Sequence, residues 1–334
     1  MRNHSFFRRA ASLLCAAALL FSLVSCSSVP KSSKEETTPV LTIDEYEIPY
    51  EQMRYFVRNY MDSEAAGDSA YWTEEKAAQR QAEIYQTTYD ALKNPYAILS
   101  LAKQYGINRD DRSLVELTDS TMENIVSQYE KTSDYVSELK ANHMTHQVYR
   151  FFTHVDIIEE ELYYAMLEAG DLETDPQKLH DLIYGDEFIR VKQILIANDA
   201  GEDPAANRAE AEALRSRALA GEDFDALVKE AGEDLFMFMN TDGYYICRGV
   251  WYREFEETAF SLAIGEISDV IETSAGYSVL MRCEKEEAYL EKNFDDLAGD
   301  WRDAQFSLTI EEKAASMKVT ERPALAEYTL LTMD

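Results

Sequence analysis

The sequence is short of basic residues, of glycine and of cysteine, and each shortage argues against a class of function. Only 32 Lys and Arg stand beside 63 Asp and Glu in 334 residues, which gives a formal net charge of -31. Nucleic acid and anionic lipid surfaces are bound by clustered cations, so we expect neither a nucleic-acid partner nor a basic lipid-binding patch. The 12 glycines form no GxGxxG or GxxxxGK(S/T) motif, and a nucleotide-binding loop therefore has no support. A charged share of 28 % with many aromatic residues indicates a folded acidic protein.

The first 26 residues have the order of a bacterial lipoprotein signal peptide. Three arginines precede an apolar stretch, residues 10–24, that is shorter than the roughly 20 residues of a membrane-spanning helix. The stretch ends in LVSC, residues 23–26, which resembles a lipobox, where the cysteine is acylated and becomes the first residue of the mature chain. We therefore expect an extracytoplasmic protein anchored to the bacterial cell membrane by lipid on Cys26. The alternative is an ordinary cleaved secretory signal.

Residues 27–40, SSVPKSSKEETTPV, combine Ser, Thr, Pro and charge, a composition typical of a flexible tether. Beyond Cys26 the chain has only Cys247 and Cys283. Two cysteines do not make a disulfide framework, and no CxxC or Cys/His metal spacing occurs. We therefore expect free thiols.

The remaining chain divides into helical segments around a segment that contains strands. Apolar residues at helical spacing predict a mostly helical stretch over 41–183, interrupted at Pro95, and helix again after residue 288. The aromatic and Met stripes of these helices indicate core, and the alternative is a groove for apolar segments of a client chain. Glycines cluster between the two helical stretches, where 184–287 shows the order β-α-α-β-α-β-β. This order predicts a small α+β domain.

Residues 184–287 resemble a parvulin-type peptidyl-prolyl isomerase domain. The resemblance rests on FIRVKQILI, on AGEDFDALVKEAGED, and on DGYYICRGVWYREFEETAFSLAIGEISDVIETSAGYSVLM, which follow the parvulin order. With the lipobox and the flanking helices, the whole chain resembles the PrsA foldases and their SurA-like relatives. The resemblance implies an α+β fold. It further implies that 41–183 and 288–334 together build a helical chaperone domain of the SurA or trigger-factor type, with the four-stranded antiparallel isomerase domain inserted between them.

The resemblance also places an apolar cup for the proline ring. Trp251 stands where the family often has Met, Phe255 where it has Phe, and Ile246 where it has an aromatic residue. The apolar character of the cup is therefore kept. Trp251, Phe255 and Ile246 are the expected substrate-binding residues.

A polar cluster beneath the prolyl bond is the second feature that the resemblance implies. The family has His in the first strand, Asp or Cys after the second helix, and His in the last strand. The matching positions here are Gln193, Asp234 and Ser278, and no histidine follows His180. Gln and Ser can still donate and accept hydrogen bonds, but they cannot change charge as imidazole does. We expect these three residues to carry a weak isomerase activity.

The sequence thus predicts a membrane-anchored foldase that assists the folding of secreted proteins. Its partners would be unfolded or secreted polypeptides with Xaa-Pro bonds, and the resemblance allows a homodimer through the helical domain. Isomerisation needs no metal, nucleotide or other cofactor, because the enzyme only has to favour the twisted amide. The alternative is a non-catalytic holdase whose parvulin-like domain only binds peptides. A zinc site at His143, His146 and His154 is a weaker alternative to surface or interhelix positions for these histidines.

Overall fold

The computed structural model describes residues 29–198, 203–240, 242–273 and 275–333. These residues form two compact units. The inserted unit comprises residues 172–307, and the outer unit comprises 29–171 together with 308–333. Residues 27 and 28 of the expected tether, and Cys26 before it, lie outside the described residues.

The outer unit begins with two strands and five helices. They are β1 (Pro39–Ile43), β2 (Tyr46–Pro49), α1 (Tyr50–Ala65), α2 (Glu74–Gln104), α3 (Arg112–Ser127), α4 (Thr132–Ala141) and α5 (His146–Ala169). Helix α5 packs against α2 and α3, and buries Ile158 and Leu162 completely. Thr73 and Thr145 cap the N-termini of α2 and α5 by accepting a backbone N–H. The helical character predicted for this stretch is therefore correct.

The interruption expected at Pro95 is wrong, because α2 continues through it to Gln104. A proline inside a helix removes one hydrogen bond and destabilises by about 3 kcal/mol. Leu92, Tyr96 and Ala97 lie on either side of Pro95 and are almost completely buried. Burial of such side chains contributes about 1.5–3 kcal/mol each for the larger ones, which is enough to offset the local loss.

The inserted unit contains the predicted sheet. Its elements are α6 (Pro176–Tyr184), β3 (Ile189–Ala197), α7 (Pro204–Leu219), α8 (Phe224–Ala231), α9 (Leu235–Met239), β4 (Tyr244–Ile246), α10 (Arg253–Ser261), β5 (Ile271–Thr273), β6 (Gly276–Cys283) and α11 (Glu287–Lys292). The strands form an antiparallel sheet of order β4-β3-β6-β5. The predicted α+β fold with a four-stranded antiparallel sheet is therefore confirmed.

The two faces of this sheet carry different layers. Because strand side chains alternate, Ile194 and Ile196 lie on one face, where α7 and α8 cover them. Ile189 and Val191 lie on the other face, against Phe255 of α10. A third cluster joins Phe188 and Cys247 to residues of α6 and of the helix after α11. The compact unit thus reaches beyond residues 184–287 on both sides.

The chain returns to the outer unit through α12 (Phe294–Ser316), which begins in the inserted unit and leads to β7 (Val319–Glu321). β7 pairs with β1, whose other neighbour is β2, so β1 is the centre of a small antiparallel sheet. This sheet includes Pro39 and Val40, the last two residues of the segment expected to be a tether, and Val40 is completely buried. No helix in the described ranges is both long and apolar enough to cross a membrane.

Candidate active site

The candidate site is built around Asp234, which precedes the short helix α9. Its Oδ1 atom accepts the backbone N–H groups of Phe236 and Met237, at 2.9 and 3.2 Å. Asp is a preferred N-cap residue because it satisfies these otherwise unpaired donors. Asp234 is therefore anchored to the backbone through one of its two oxygens.

The other oxygen of Asp234 faces two side chains from the sheet. Oδ2 accepts a hydrogen bond from Nε2 of Gln193 on β3, and one of 2.8 Å from the hydroxyl of Tyr244 on β4. Tyr244 pairs with Val191 in the sheet register, which places it on the same face as Gln193. Burial and the neighbouring Asp234 carboxylate raise the pKa of Tyr244, so its hydroxyl stays protonated and acts as the donor.

Ser278, the third residue of the expected polar cluster, is placed differently. Ser278 lies in β6 and pairs with Leu195 of β3, which puts it on the face of the sheet that Gln193 occupies. The residue is buried. Within the described part of the chain, however, its hydroxyl makes no hydrogen bond to Gln193, to Asp234 or to another residue. The structure therefore brings Gln193 and Asp234 together and leaves Ser278 outside their hydrogen-bonded group. We call Asp234, Gln193 and Tyr244, which are joined by side-chain hydrogen bonds, the Asp234 group.

The apolar residues predicted for the cup form one packed cluster. Phe255 and Ile246 are each 2 % exposed and pack with Ile189 and Val191. Trp251 stacks on Phe255 with ring centroids 4.6 Å apart and an interplanar angle of 18°. Since Trp251 is partly exposed and covers Phe255, the indole forms the outer surface of this cluster.

An aromatic row connects this cluster to the polar group, and we define it as Phe236, Tyr244, Trp251 and Phe255. The Tyr244 ring stacks on Phe236 at 4.5 Å and meets Trp251 edge-on at 4.5 Å. Phe236 is 42 % exposed, whereas Phe255 is buried. The row therefore runs from the protein surface to the apolar interior and carries the Tyr244 hydroxyl at its middle.

Glu256 fixes the loop that bears Trp251. Its Oε1 atom accepts the backbone N–H groups of Gly249, Val250 and Trp251, each at 2.8 Å. Hydrogen bonds to a charged acceptor are stronger than neutral ones. One carboxylate on α10 therefore orders the segment between β4 and α10.

Sequence reasoning missed Tyr244, Phe236 and Glu256 as members of the site. The strand alternation that links Ile246 to the cup could have revealed Tyr244, two residues earlier on the same face. Phe236 and Glu256 depend on contacts between separate elements, which no local pattern shows.

The histidines considered as zinc ligands each have their own partner. His143 contacts Asp62 at 2.6 Å, His146 contacts Tyr135 at 2.9 Å, and His154 contacts Thr118 at 2.6 Å. Across the described ranges, no three His, Cys, Asp or Glu side chains are arranged to hold a metal ion.

The two cysteines of the inserted unit are free, as predicted. β3 lies between β4, which Cys247 follows, and β6, which ends at Cys283, so two strand spacings separate them. Burial raises the pKa of the Cys247 thiol and so disfavours its nucleophilic thiolate form.

Residues 188–284 match the family of rotamases described as the PPIC-type PPIASE domain. The fold and the match define this part of the chain as a parvulin-type domain, as its sequence predicted. Along most of its length the chain is similar to the foldase protein PrsA of Caldanaerobacter subterraneus subsp. tengcongensis. The two are 27 % identical over 293 residues, which cover 84 % of each chain.

Two further relatives carry the same name. The foldase protein PrsA of Geobacillus kaustophilus is 26 % identical over 146 residues, which cover 42 % of this chain and 47 % of the relative. Among solved structures, the peptidylprolyl isomerase PrsA of Bacillus anthracis is 19 % identical, with a TM-score of 0.34. That alignment covers 71 % of this chain and 96 % of the solved one. The similarity to the foldase of Caldanaerobacter subterraneus confirms the predicted resemblance to PrsA foldases.

Proposed function

We propose that this protein is a membrane-anchored extracytoplasmic foldase that assists secreted polypeptides by peptidyl-prolyl cis-trans isomerisation. The observation that carries the proposal is the aromatic row, which ends in the predicted cup and lies beside the Asp234 group within a parvulin-type domain. A proline ring would pack on Trp251, and the amide to be twisted would lie toward Gln193. The similarity to PrsA foldases over most of the chain supports the wider role.

The reaction requires little chemistry from the protein. The barrier to rotation of a peptide bond is about 18–20 kcal/mol, and uncatalysed Xaa-Pro isomerisation takes tens to hundreds of seconds. An apolar surface and hydrogen bonds that strengthen as conjugation is lost stabilise the twisted amide more than the planar one. Gln193 supplies a polar group in place of imidazole, and Ser278 contributes no hydrogen bond to it. We therefore expect the isomerase to be weak.

Prolyl isomerisation of an Xaa-Pro peptide by the full chain tests this proposal. We expect acceleration over buffer, and we expect Trp251→Ala to abolish it, because the indole forms the outer surface of the cup. Tyr164→Ala is the matched control, since Tyr164 is a 55 % exposed aromatic residue in the outer unit. A rate equal to that in buffer, from a folded protein, would exclude the isomerase.

The alternative function is a holdase without catalysis. Two observations favour it over a strong enzyme: Trp251 covers Phe255, and the Ser278 hydroxyl does not join Gln193. The outer unit also carries a half-buried aromatic cluster of Tyr55, Phe56, Phe151 and Phe152, with ring centroids 5.1 to 5.9 Å apart. Suppression of client aggregation that survives Trp251→Ala, in a chain with no isomerase activity, would establish the alternative.

The proposal includes lipid at Cys26 and a homodimer through the helical domain. Expression in a bacterial host with a labelled fatty acid should label the parent chain and place it in the membrane fraction. Cys26→Ala should lose both the label and the membrane association. Light scattering of the purified full chain tests the dimer, and a monomer mass at all concentrations would remove it from the proposal.

A further inference from the structure

Resting on the proposed isomerase site, we infer that Tyr244 is a positioning residue: its hydroxyl fixes Asp234, and its ring fixes Trp251. Tyr244 is the one member of the aromatic row whose side chain hydrogen-bonds Asp234, since Phe236 reaches Asp234 only through its backbone N–H. Tyr244 therefore joins the apolar cup to the polar cluster through a single side chain.

The hydrogen bonds of Asp234 show why this connection through Tyr244 matters. A carboxylate has about four acceptor positions, and four donors reach Asp234. They are the N–H groups of Phe236 and Met237 on Oδ1, and the side chains of Gln193 and Tyr244 on Oδ2. Asp234 thus has no acceptor position left for a substrate. It acts as the anchor on which Gln193 and Tyr244 are oriented, and Gln193 is the side chain left to face a peptide.

The environment of Tyr244 holds it in this role. Its ring is in contact with Phe236 on one side and with Trp251 on the other, and its backbone pairs with Val191 in the sheet. Offset or edge-on ring pairs contribute about 0.5–1.5 kcal/mol each beyond their burial. The raised pKa of the phenol keeps the hydroxyl a donor across neutral pH.

The next residue of the strand offers a matched control. Tyr245 points to the opposite face, stacks on Tyr289 with centroids 4.0 Å apart, and accepts the Glu286 N–H at 3.0 Å. Tyr245 touches neither Asp234 nor Trp251. Tyr244→Phe and Tyr245→Phe therefore remove the same atom from neighbouring tyrosines, and only the first change reaches the candidate site.

Kinetics of the full chain on an Xaa-Pro peptide test the inference. We expect Tyr244→Phe to lower kcat about tenfold with KM within about twofold, because one hydrogen bond to a charged group is lost while the ring remains. Tyr245→Phe should leave both constants unchanged. In an Asp234→Ala background, Tyr244→Phe should have no further effect, since the hydroxyl acts through the carboxylate. An unchanged kcat in Tyr244→Phe, or effects that add in the double variant, would overturn the inference.

A second measurement decides the inference even where the parent chain shows no isomerase activity and the proposed function fails. The side-chain amide of Gln193 and the backbone amides of Phe236 and Met237 all donate to Asp234, so their NMR resonances report its position. We expect these resonances to shift in Tyr244→Phe and to stay in place in Tyr245→Phe. Resonances that stay in place in both variants would refute the positioning role.

Discussion

Glu256 offers the sharpest test of how the candidate site is held together. Glu256→Ala removes the single acceptor of three backbone N–H groups, those of Gly249, Val250 and Trp251. A hydrogen bond to a charged group contributes about 1.5–3 kcal/mol, but the three share one oxygen and water can reach the exposed Val250. We therefore expect a loss of about 2–4 kcal/mol in the free energy of unfolding of the inserted unit.

The neighbouring Glu257 is the control for this prediction. It lies in the same helix and pairs only with Arg253, with side chains 60 % and 83 % exposed, and such a surface pair contributes about 0–1 kcal/mol. Glu256→Gln keeps a neutral acceptor and should lose about 1 kcal/mol. Because Trp251 lies in the released loop, Glu256→Ala should also raise KM for an Xaa-Pro peptide. Urea unfolding followed by tryptophan fluorescence measures the loss of stability in Glu256→Ala and in the control Glu257→Ala. Losses in the two variants that agree within about 0.5 kcal/mol would refute the reasoning.

Three further predictions concern other parts of the chain. Gly276 has φ +137°, and an added Cβ would lie 2.2 Å from a carbonyl oxygen of β3, so Gly276→Ala should destabilise the inserted unit by more than about 3 kcal/mol. Gly221 has φ +94° with open space, and Gly221→Ala should lose only about 1–2 kcal/mol in the same urea titration. Burial lowers the pKa of His146 below its usual 6.5, so the unfolded state binds more protons and stability should fall as the pH drops from 7.5 to 5.5. This pH-dependent loss of stability should be smaller in His146→Gln than in the parent chain, and an equal loss in the two proteins would contradict the prediction. Alkylation located by mass spectrometry should modify Cys283 slowly and Cys247 only after unfolding, because Cys247 is 1 % exposed.

The sequence alone predicts the parts of the fold that depend on local patterns. The periodicity of α5 is a strong signal because it follows one continuous buried face, and the β-branched run of β3 is strong because that strand is buried on both faces. The sheet of β1, β2 and β7 is not predicted because its strands have only three to five residues and because β7 pairs with β1 across almost the whole chain. Pro95 misleads because a local helix breaker is outweighed by burial on both sides of it.

In the candidate site, too, the sequence predicts some features and misses others. A resemblance in register indicates which positions face each other, and Gln193 and Asp234 are in fact hydrogen-bonded. The resemblance does not indicate how far a side chain extends when it differs from that of the family. Tyr244 is large enough to reach the Asp234 carboxylate, which Ser278 does not contact. Side-chain reach across elements is a property of packing, which a linear pattern does not encode.

The pairing of β7 with β1 also sets an order of events during synthesis. β1 can meet β2 almost at once, but its other edge stays open until Val319–Glu321 have been made. The inserted unit, residues 172–307, is one continuous stretch and can be complete while that edge is still unpaired. A chain that emerges with its N-terminus first therefore acquires its parvulin-type domain before it can close the unit that encloses it in sequence.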